Sequence, residues 1–223
     1  MNNDNSKYVN FVELKNKWSE LNRACYENTR CTNKHTGKCI EGNGYGIIIN
    51  DENIKYVLKN GGTNKYVCVY IENSFNNPHH CFEYSLYYFE VKCMFEGEFN
   101  KGVNHMSIYF DDCNTIYFAT EAKIKNEKSE YFKLDNISWN NNDIYGCGVV
   151  YPPTNMTNEF PYIFFTQNGK QIGKGIISTK ITGSYTPFVE IRCCSIEANF
   201  GNNLETNPFK YDISKLSVLK EFY

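Results

Sequence analysis

The sequence predicts an all-β protein, an antiparallel β-sandwich with one N-terminal helix and one short C-terminal helix. From Tyr45 onward, short runs rich in Val, Ile, Tyr and Phe alternate with turns that contain Asn, Asp or Gly. No helical segment of the usual crossover length separates these runs, which favours an antiparallel sandwich over a parallel α/β sheet. With 223 residues and 41% hydrophobic side chains, the chain can bury one sizeable core.

Residues 6–28 are predicted to form an amphipathic helix. Its apolar side chains recur at spacings of three, four, three and four residues, and they are Phe11, Leu14, Trp18, Leu21 and Cys25. The polar stretch that follows is predicted to be a loop. We therefore divide the chain into an N-terminal helix and loop over 1–44, which packs on the sandwich, and a sandwich domain over 45–223.

Ten runs are predicted as strands: Gly46–Ile49, Lys55–Leu58, Tyr66–Ile71, Tyr87–Phe95, His105–Phe110, Thr115–Ala119, Tyr145–Val150, Tyr162–Thr166, Phe188–Arg192 and Ser195–Phe200. Asn168-Gly169 supplies the two positive-φ positions of a type I′ turn, so a hairpin is predicted there. The last element is a short helix from Ile213 to about Glu221, with Leu216 and Leu219 on its inner face.

Charge and hydropathy exclude several classes of partner. The chain has 23 basic and 25 acidic side chains and a formal net charge of −2, without the basic excess of a protein that binds nucleic acid or an anionic membrane. No apolar run approaches the roughly 20 residues of a membrane-spanning helix. The segment Met1–Ser6 does not have the pattern of a secretory signal, although a removed signal remains open.

The ten cysteines are interpreted chiefly as reduced thiols, with disulfide bridges as the alternative. In the run Tyr87–Phe95, alternation along a strand places Cys93 on the same face as Phe89 and Val91. A thiol there packs as a small hydrophobic group. Asn136 and Asn155 begin glycosylation sequons, and whether either is modified stays open.

No catalytic residue, metal site or cofactor is predicted. The histidines are not accompanied by a nucleophile motif such as Gly-x-Ser-x-Gly, and no glycine-rich loop opens a helix that could bind phosphate. Cys25, Cys31, His35 and Cys39 offer soft and imidazole groups suited to zinc. Because their spacing lacks a tight Cys-x2-Cys pair, we favour a buried Cys25 and incidental loop residues over a metal site.

Five segments in one order resemble a known family. They are Tyr87–Val91, Asn142–Val149, Ile163–Gly169, Tyr185–Val189, and Asn199–Gly201 followed by Pro208–Ile213. This series resembles a SPRY domain of the Ran-binding-protein-M type over residues 87–213. The resemblance implies a bent sandwich of two antiparallel sheets, a protein-interaction role without catalysis, and partners that dock on loops at one end.

The chain departs from the family pattern in two places. The charged stretch Glu121–Glu130 stands where Ran-binding-protein-M-type domains carry a Trp-Asp or Tyr-Gly-Tyr segment, and the loop Arg192–Ser195 is shorter than expected. Both places fall where binding loops are expected, so the partner motif of a known relative is not transferred to this chain.

Loop residues with polar, apolar or reactive side chains are the predicted partner-binding set. Arg192 could form paired hydrogen bonds with a carboxylate or with peptide carbonyls, and Tyr151 with Pro152-Pro153 could offer an apolar shelf. The full set is Asp111, Asp112, Asn114, Tyr151, Arg192, Cys193 and Cys194. The expected partner is a protein or short peptide motif, bound by a monomer.

The sequence therefore predicts a non-enzymatic protein-binding module. Stand-alone SPRY proteins are secreted by plant-parasitic nematodes as effectors, and the Asn-, Lys- and Tyr-rich composition resembles that set. Such an effector would act in the host cytoplasm by binding a host protein. The alternative is a cytoplasmic adaptor or scaffold subunit, in a Ran-binding-protein-M-like or ubiquitin-ligase assembly.

Overall fold

Two β-sheets that pack face to face form the framework of the protein in a computed structural model. The structure describes residues 9–22, 44–58, 64–100, 102–110, 116–119, 121–135, 137–179 and 183–223. The described strands are β1 Val9–Phe11, β2 Trp18–Asn22, β3 Tyr45–Ile48, β4 Asn53–Val57, β5 Val67–Ile71, β6 Phe75–Asn76, β7 Tyr84–Phe95, β8 His105–Phe110, β9 Ile116–Ala119, β10 Lys123–Lys125, β11 Tyr131–Lys133, β12 Ile144–Tyr151, β13 Tyr162–Gln167, β14 Lys170–Ile177, β15 Ser184–Tyr185, β16 Pro187–Arg192 and β17 Cys194–Asn199.

The order of the strands defines an eight-stranded and a seven-stranded sheet. The eight-stranded sheet runs β14-β13-β12-β7-β17-β4-β3, with β1 beside β7. The seven-stranded sheet runs β11-β10-β9-β8-β16-β5-β2, and β6 pairs with β15 in a separate ribbon. Neighbouring strands are antiparallel except β1, which is parallel to β7. The predicted all-β antiparallel sandwich is confirmed.

The ten predicted strands all correspond to strands of the structure, and β8 matches its prediction at both ends. The predicted hairpin is also confirmed. Asn168 and Gly169 join β13 to β14 with φ angles of +50° and +80°, as a type I′ turn requires.

The predicted N-terminal helix is wrong for the described residues 9–22, which contain β1 and β2 instead. Hydrogen bonds to distant segments replace those of a helix: the Val12 amide donates to the Leu86 carbonyl over 2.8 Å. The buried Asn16 side chain donates to the Asn73 carbonyl over 2.8 Å and accepts from the Asn73 amide over 3.0 Å. Because Asn73 lies 57 residues away in the sequence, this segment is held by long-range contacts rather than by the local hydrogen bonds of a helix. The boundary at residue 44 remains a prediction.

The apolar spacing that suggested this helix has another cause. Phe11 packs edge-on against Phe209 outside the eight-stranded sheet, whereas Trp18 packs edge-on against Phe200 in the core between the sheets. The apolar side chains of the segment therefore serve two different layers, and a helix would have presented them to one.

The predicted C-terminal helix is also wrong, because only Ile213–Lys215 forms a turn of 3₁₀ helix. Beyond it the chain is extended and lies along the edge of the sheet at Gly175. The Gly175 amide donates to the Glu221 carbonyl over 3.1 Å, and the Tyr223 amide donates to the Gly175 carbonyl over 2.9 Å. Leu216 is nevertheless buried, as predicted for the inner face.

The strand β7 shows how the core is built. Its Phe89, Val91 and Cys93 side chains are fully buried between the two sheets, which confirms the predicted apolar face. Its other face carries Tyr88 and Glu90, which lie under the C-terminal segment. Burial of one Phe or Val side chain contributes about 1.5–3 kcal/mol, so the sheets are held together mainly by such side chains.

Residues 207–223 form a third layer on the outer face of the eight-stranded sheet. Phe209 packs edge-on against Tyr88, with 4.9 Å between ring centroids. The buried Glu90 carboxylate accepts hydrogen bonds from the amides of Lys210 and Tyr211 over 2.8 and 2.9 Å, and from the Tyr88 hydroxyl over 3.0 Å. A charged acceptor thus fixes the course of the C-terminal segment.

No helix within the described residues is long and apolar enough to cross a membrane. Six described cysteines are free thiols, namely Cys68, Cys81, Cys93, Cys147, Cys193 and Cys194. The alternative zinc set, Cys25, Cys31, His35 and Cys39, lies outside the described residues.

Candidate functional site

A groove of about 300 Å³ opens at one end of the eight-stranded sheet. One wall is the loop between β12 and β13, and the other is the C-terminal segment. Its apolar surface comes mainly from Pro152, Phe160, Tyr162, Ile177, Leu219 and Phe222. A concave apolar surface with few polar groups is the usual form of a binding site.

Backbone hydrogen bonds fix the loop that forms the first wall. The Met156 amide donates to the Pro153 carbonyl over 2.9 Å, which closes a turn. The amide and hydroxyl of Thr154 both donate to the Cys81 carbonyl, over 2.8 and 3.0 Å. Two separate segments are therefore tied together here, which fixes the course of the loop beside the groove.

Two polar groups face the groove at opposite walls. The Tyr84 hydroxyl donates to the Glu159 carboxylate and also contacts the Met156 sulfur at 3.7 Å. The Leu219 amide donates to the Tyr162 hydroxyl over 3.3 Å, and burial raises the pKa of Tyr162. Glu159 is the one charged side chain among the described residues that line the groove. The groove therefore combines an apolar floor with a single negative charge.

Large apolar side chains remain exposed around the groove. Phe160 is 50% exposed and Ile177 is 39% exposed. Phe82 is 73% exposed and follows Cys81 on the segment tied to the same loop, although it does not line the groove itself. Exposed apolar side chains that cluster around a concavity mark interaction sites more often than isolated ones do.

Tyr151, the predicted apolar shelf, lies inside the sandwich rather than on its surface. Its side chain is fully buried and its hydroxyl donates to the carbonyls of Phe75 and Gly183, over 2.7 and 3.2 Å. Pro152, the next residue, does line the groove. The loop that the sequence indicated therefore borders the groove, but Tyr151 itself faces the core.

Asp111, Asp112 and Asn114 lie outside the described residues. The residue before them, Phe110, is at the opposite end of β8 from His105, which pairs with Arg192. Among the described members of the set, Tyr151 pairs with Ser85 at the start of β7 and Cys194 pairs with Phe95 at its end, so the structure does not gather these members into one site.

Arg192 lies at the far end from Phe110 and binds within its own chain. Its guanidinium donates to the carbonyls of Val103 and Gly102, the second over 2.8 Å, and lies 4.4 Å from the centre of the Tyr66 ring. These contacts hold the 102–103 loop against β16. Partner binding by Arg192 remains a prediction.

Cys193 alone connects β16 of the seven-stranded sheet to β17 of the eight-stranded sheet, with a φ angle of +53°. Both Cys193 and Cys194 are buried, and the Cys194 thiol donates to the His105 carbonyl over 3.0 Å. Burial raises the pKa of both thiols. Neither thiol is presented at the surface, so any role of theirs in partner binding stays a prediction.

The seven-stranded sheet brings together a serine, a histidine and an acid that the sequence did not associate. The Ser107 hydroxyl lies 2.8 Å from His105 Nε2, and His105 Nδ1 lies 3.8 Å from the Glu121 carboxylate. This order of groups occurs in serine hydrolases. Because the Ser107 side chain is fully buried, its hydroxyl is not positioned to attack a substrate.

Sequence reasoning missed Glu159, Phe160 and Ile177. A signal was available for Phe160, because it is the one aromatic residue in the loop sequence from Pro152 to Pro161. No local signal identified Ile177, which belongs to the groove only because the C-terminal segment packs beside it.

Comparison with solved structures finds the human SPRY domain, with 17% identity, a TM-score of 0.50, and coverage of 70% of this chain and 96% of that one. The SPRY domain of human HERC1 has 10% identity, a TM-score of 0.46, and coverage of 69% and 91%. The carbohydrate-binding module CBM66 from Bacillus subtilis has 8% identity, a TM-score of 0.40, and coverage of 70% and 89%. No family model and no curated protein sequence matches the chain.

Proposed function

We propose that this chain, whose fold is SPRY-like, is a non-enzymatic protein-binding module that receives an apolar side chain of its partner in the groove between the β12–β13 loop and the C-terminal segment. The observation that carries the proposal is the apolar groove with Phe160 half exposed at its rim. A partner side chain that enters the groove would remove both surfaces from water, which is the main source of affinity in such interfaces.

The size of the groove supports a protein or peptide partner. Its volume of about 300 Å³ lies at the lower limit of pockets that hold small molecules. A groove of this size suits one or two side chains of a larger partner, with the rest of the contact on the surrounding loops.

Charge specifies the partner further. Because Glu159 is the one charged group among the described lining residues, a Lys or Arg beside the apolar anchor would complement it. The Tyr84 hydroxyl already donates to this carboxylate and holds it at the groove. The proposed motif is therefore an apolar residue next to a basic one.

For the biological setting, we propose a secreted nematode effector that binds a host protein in the host cytoplasm. The resemblance of the sequence to nematode SPRY effectors and its Asn-, Lys- and Tyr-rich composition support this setting. A cytoplasmic adaptor or scaffold subunit is the second candidate. The full-length gene distinguishes them, because a signal peptide before Met1 favours the effector, whereas added interaction domains favour the adaptor.

The binding function can be tested with a phage-displayed library of random dodecapeptides, panned on the immobilised protein. The most enriched peptide is then synthesised and titrated against Phe160→Ser and the matched control Phe99→Ser, since these residues are 50% and 47% exposed. Half the burial of a Phe side chain corresponds to about 0.8–1.5 kcal/mol, so Phe160→Ser should weaken binding roughly four- to twelvefold. Phe99→Ser should leave the Kd within about twofold of wild type.

Three results would contradict this proposal. They are the absence of any enriched motif, enrichment of peptides without an apolar residue, and equal weakening by the two Phe variants. A second matched pair, Ile177→Asp and Leu58→Asp, repeats the comparison at exposures of 39% and 38%.

The non-enzymatic part of the proposal has its own test. We expect a fluorophosphonate probe to leave the protein unlabelled, since the Ser107 hydroxyl is buried. Labelling that disappears in Ser107→Ala would identify a hydrolase instead.

A further inference from the structure

A row of aromatic side chains crosses the outer face of the seven-stranded sheet. Strand register aligns Phe188 with Tyr70 on one side and with Tyr109 on the other, and it aligns Tyr109 with Tyr117. Lys125 of β10 continues the row between Tyr117 and Tyr131. We call Tyr70, Phe188, Tyr109, Tyr117 and Tyr131 the tyrosine ridge.

Neighbouring rings of the tyrosine ridge are in contact. Tyr70 and Phe188 stack with centroids 4.9 Å apart, and Phe188 and Tyr109 stack at 4.7 Å with their planes within 3° of parallel. Tyr109 and Tyr117 are tilted by 38° at 4.9 Å. The ring faces therefore cover each other. Phe188 is buried and the Tyr109 hydroxyl donates to the Glu190 carboxylate over 3.2 Å, so the exposed part of the ridge is its Tyr131 end.

This arrangement distinguishes between classes of ligand. A sugar ring or a nucleic-acid base stacks on an open aromatic face, and those faces are occupied by neighbours along the stacked part of the ridge. Ring edges combined with hydroxyls are instead the contacts that tyrosine contributes to protein interfaces, where it is enriched. The ridge thus fits a polypeptide better than a flat ligand.

Lysines surround one end of the ridge. Lys123 and Lys133 are paired across β10 and β11 on the face that also carries Lys125, and the Lys125 ammonium lies 5.9 Å from the centre of the Tyr117 ring. An exposed ion pair of 3.7 Å joins Lys123 to Glu121. In a chain with a net charge of −2, this end of the face is locally basic.

We infer that the Tyr117 and Tyr131 end of the tyrosine ridge and these three lysines form a second docking surface, which binds an extended acidic segment of a protein partner. Carboxylates of the segment complement Lys123, Lys125 and Lys133, while an apolar side chain lies against the Tyr131 ring. Two strand spacings of about 4.8 Å separate Tyr117 from Tyr131, a distance of about 10 Å that roughly three extended residues span. The 60% exposure of Tyr131 makes it the accessible end.

The surface is separate from the groove. The ridge belongs to the outer face of the seven-stranded sheet, whereas the groove is formed by the eight-stranded sheet and the C-terminal segment. Removing one site should therefore leave the other intact, and the two can be tested in the same protein.

The test uses a random dodecapeptide phage library, panned at low salt on the Phe160→Ser protein so that the groove is disabled. We expect the enriched peptides to be rich in Asp and Glu. The synthetic form of the most enriched peptide is titrated against Lys123→Ser/Lys125→Ser/Lys133→Ser, with Lys170→Ser/Lys174→Ser/Lys210→Ser as a control of equal charge change. The first triple should weaken binding roughly tenfold and the control less than about twofold.

Two further measurements support or overturn the inference. Tyr131→Ser should weaken the same peptide by roughly threefold or more, and affinity should fall as NaCl screens the charges. Enrichment of peptides without acidic residues, or equal weakening by both lysine triples, would refute an acidic partner. Equal affinity for heparin would show a general polyanion surface and would also refute it.

Discussion

Replacement of Glu90 by Gln should loosen the C-terminal segment. The Glu90 carboxylate accepts the amides of Lys210 and Tyr211 over 2.8 and 2.9 Å, and the Tyr88 hydroxyl over 3.0 Å. The Gln amide has one acceptor oxygen and one donor group. If its oxygen keeps Tyr211 and Tyr88, its NH₂ group faces the Lys210 amide, and two donors oppose each other.

The expected loss of stability in Glu90→Gln follows from the loss of one hydrogen bond to a charged acceptor. Such a bond contributes about 1.5–3 kcal/mol, and we take about 2 kcal/mol because Lys210 itself is exposed. For a chain of 223 residues this corresponds to a fall in melting temperature of about 4–8 °C. If the segment opens locally, exchange of the Lys210 amide should accelerate about thirtyfold.

Thermal unfolding followed by circular dichroism measures the first effect, and hydrogen exchange read by NMR or mass spectrometry measures the second. Glu197→Gln is the matched control, because Glu197 forms an exposed 3.4 Å ion pair with Lys92 on a neighbouring strand. Glu197→Gln should lower the free energy of unfolding by less than about 0.5 kcal/mol. A melting temperature within about 1 °C of wild type for Glu90→Gln, with unchanged exchange at Lys210 and Tyr211, would refute the reasoning.

Three further predictions concern the core. Gly146→Ala should lower the free energy of unfolding in guanidinium by about 2–3 kcal/mol, because the added methyl group would overlap the Tyr88 hydroxyl. A variant as stable as wild type would contradict this packing. Iodoacetamide at pH 8 should modify the half-buried Cys81 at least about tenfold faster than Cys147 and Cys194, because burial shields those two thiols and raises their pKa values. Mass spectrometry of the labelled protein measures the rates, and equal rates would show that the core opens. The free energy of unfolding should fall above about pH 9, because the unfolded state loses protons from Cys and Tyr that the folded state retains through raised pKa values. The fall should reach up to about 1.4 kcal/mol per pH unit for each group. Urea unfolding midpoints measured from pH 7 to 10.5 check this, and constant midpoints would contradict it.

The sequence predicted those elements whose information is local. The strand β8 was predicted at both ends because its flanking residues are polar, and Asn168-Gly169 specifies its turn without help from the rest of the chain. The N-terminal strands were missed because their hydrogen-bond partners, such as Leu86 and Asn73, are more than 50 residues away. A helical spacing of apolar residues cannot reveal that two layers share them.

One feature of the candidate site could likewise have been predicted from local sequence, and another could not. Alternation along β12 places Tyr151 on the same face as Tyr145, Cys147 and Val149, so its burial could have been predicted from the sequence. The groove could not have been predicted, because one of its walls depends on the long-range contact between Glu90 and the amide of Lys210. The spacing of apolar residues along the sequence gives no information about such a contact.

The central position of β7 has a consequence for biosynthesis. Its partners are β1 and β17 on one side and β12 on the other, and β17 ends at Asn199. A ribosome that has completed β7 at Phe95 must add 104 further residues (199 − 95) before that pairing is complete. At roughly 5–20 residues per second, this long and largely apolar strand has an unpaired edge for about 5–20 s. Slower synthesis lengthens that interval, so we expect the yield of soluble protein to depend on chaperones that shield nascent chains.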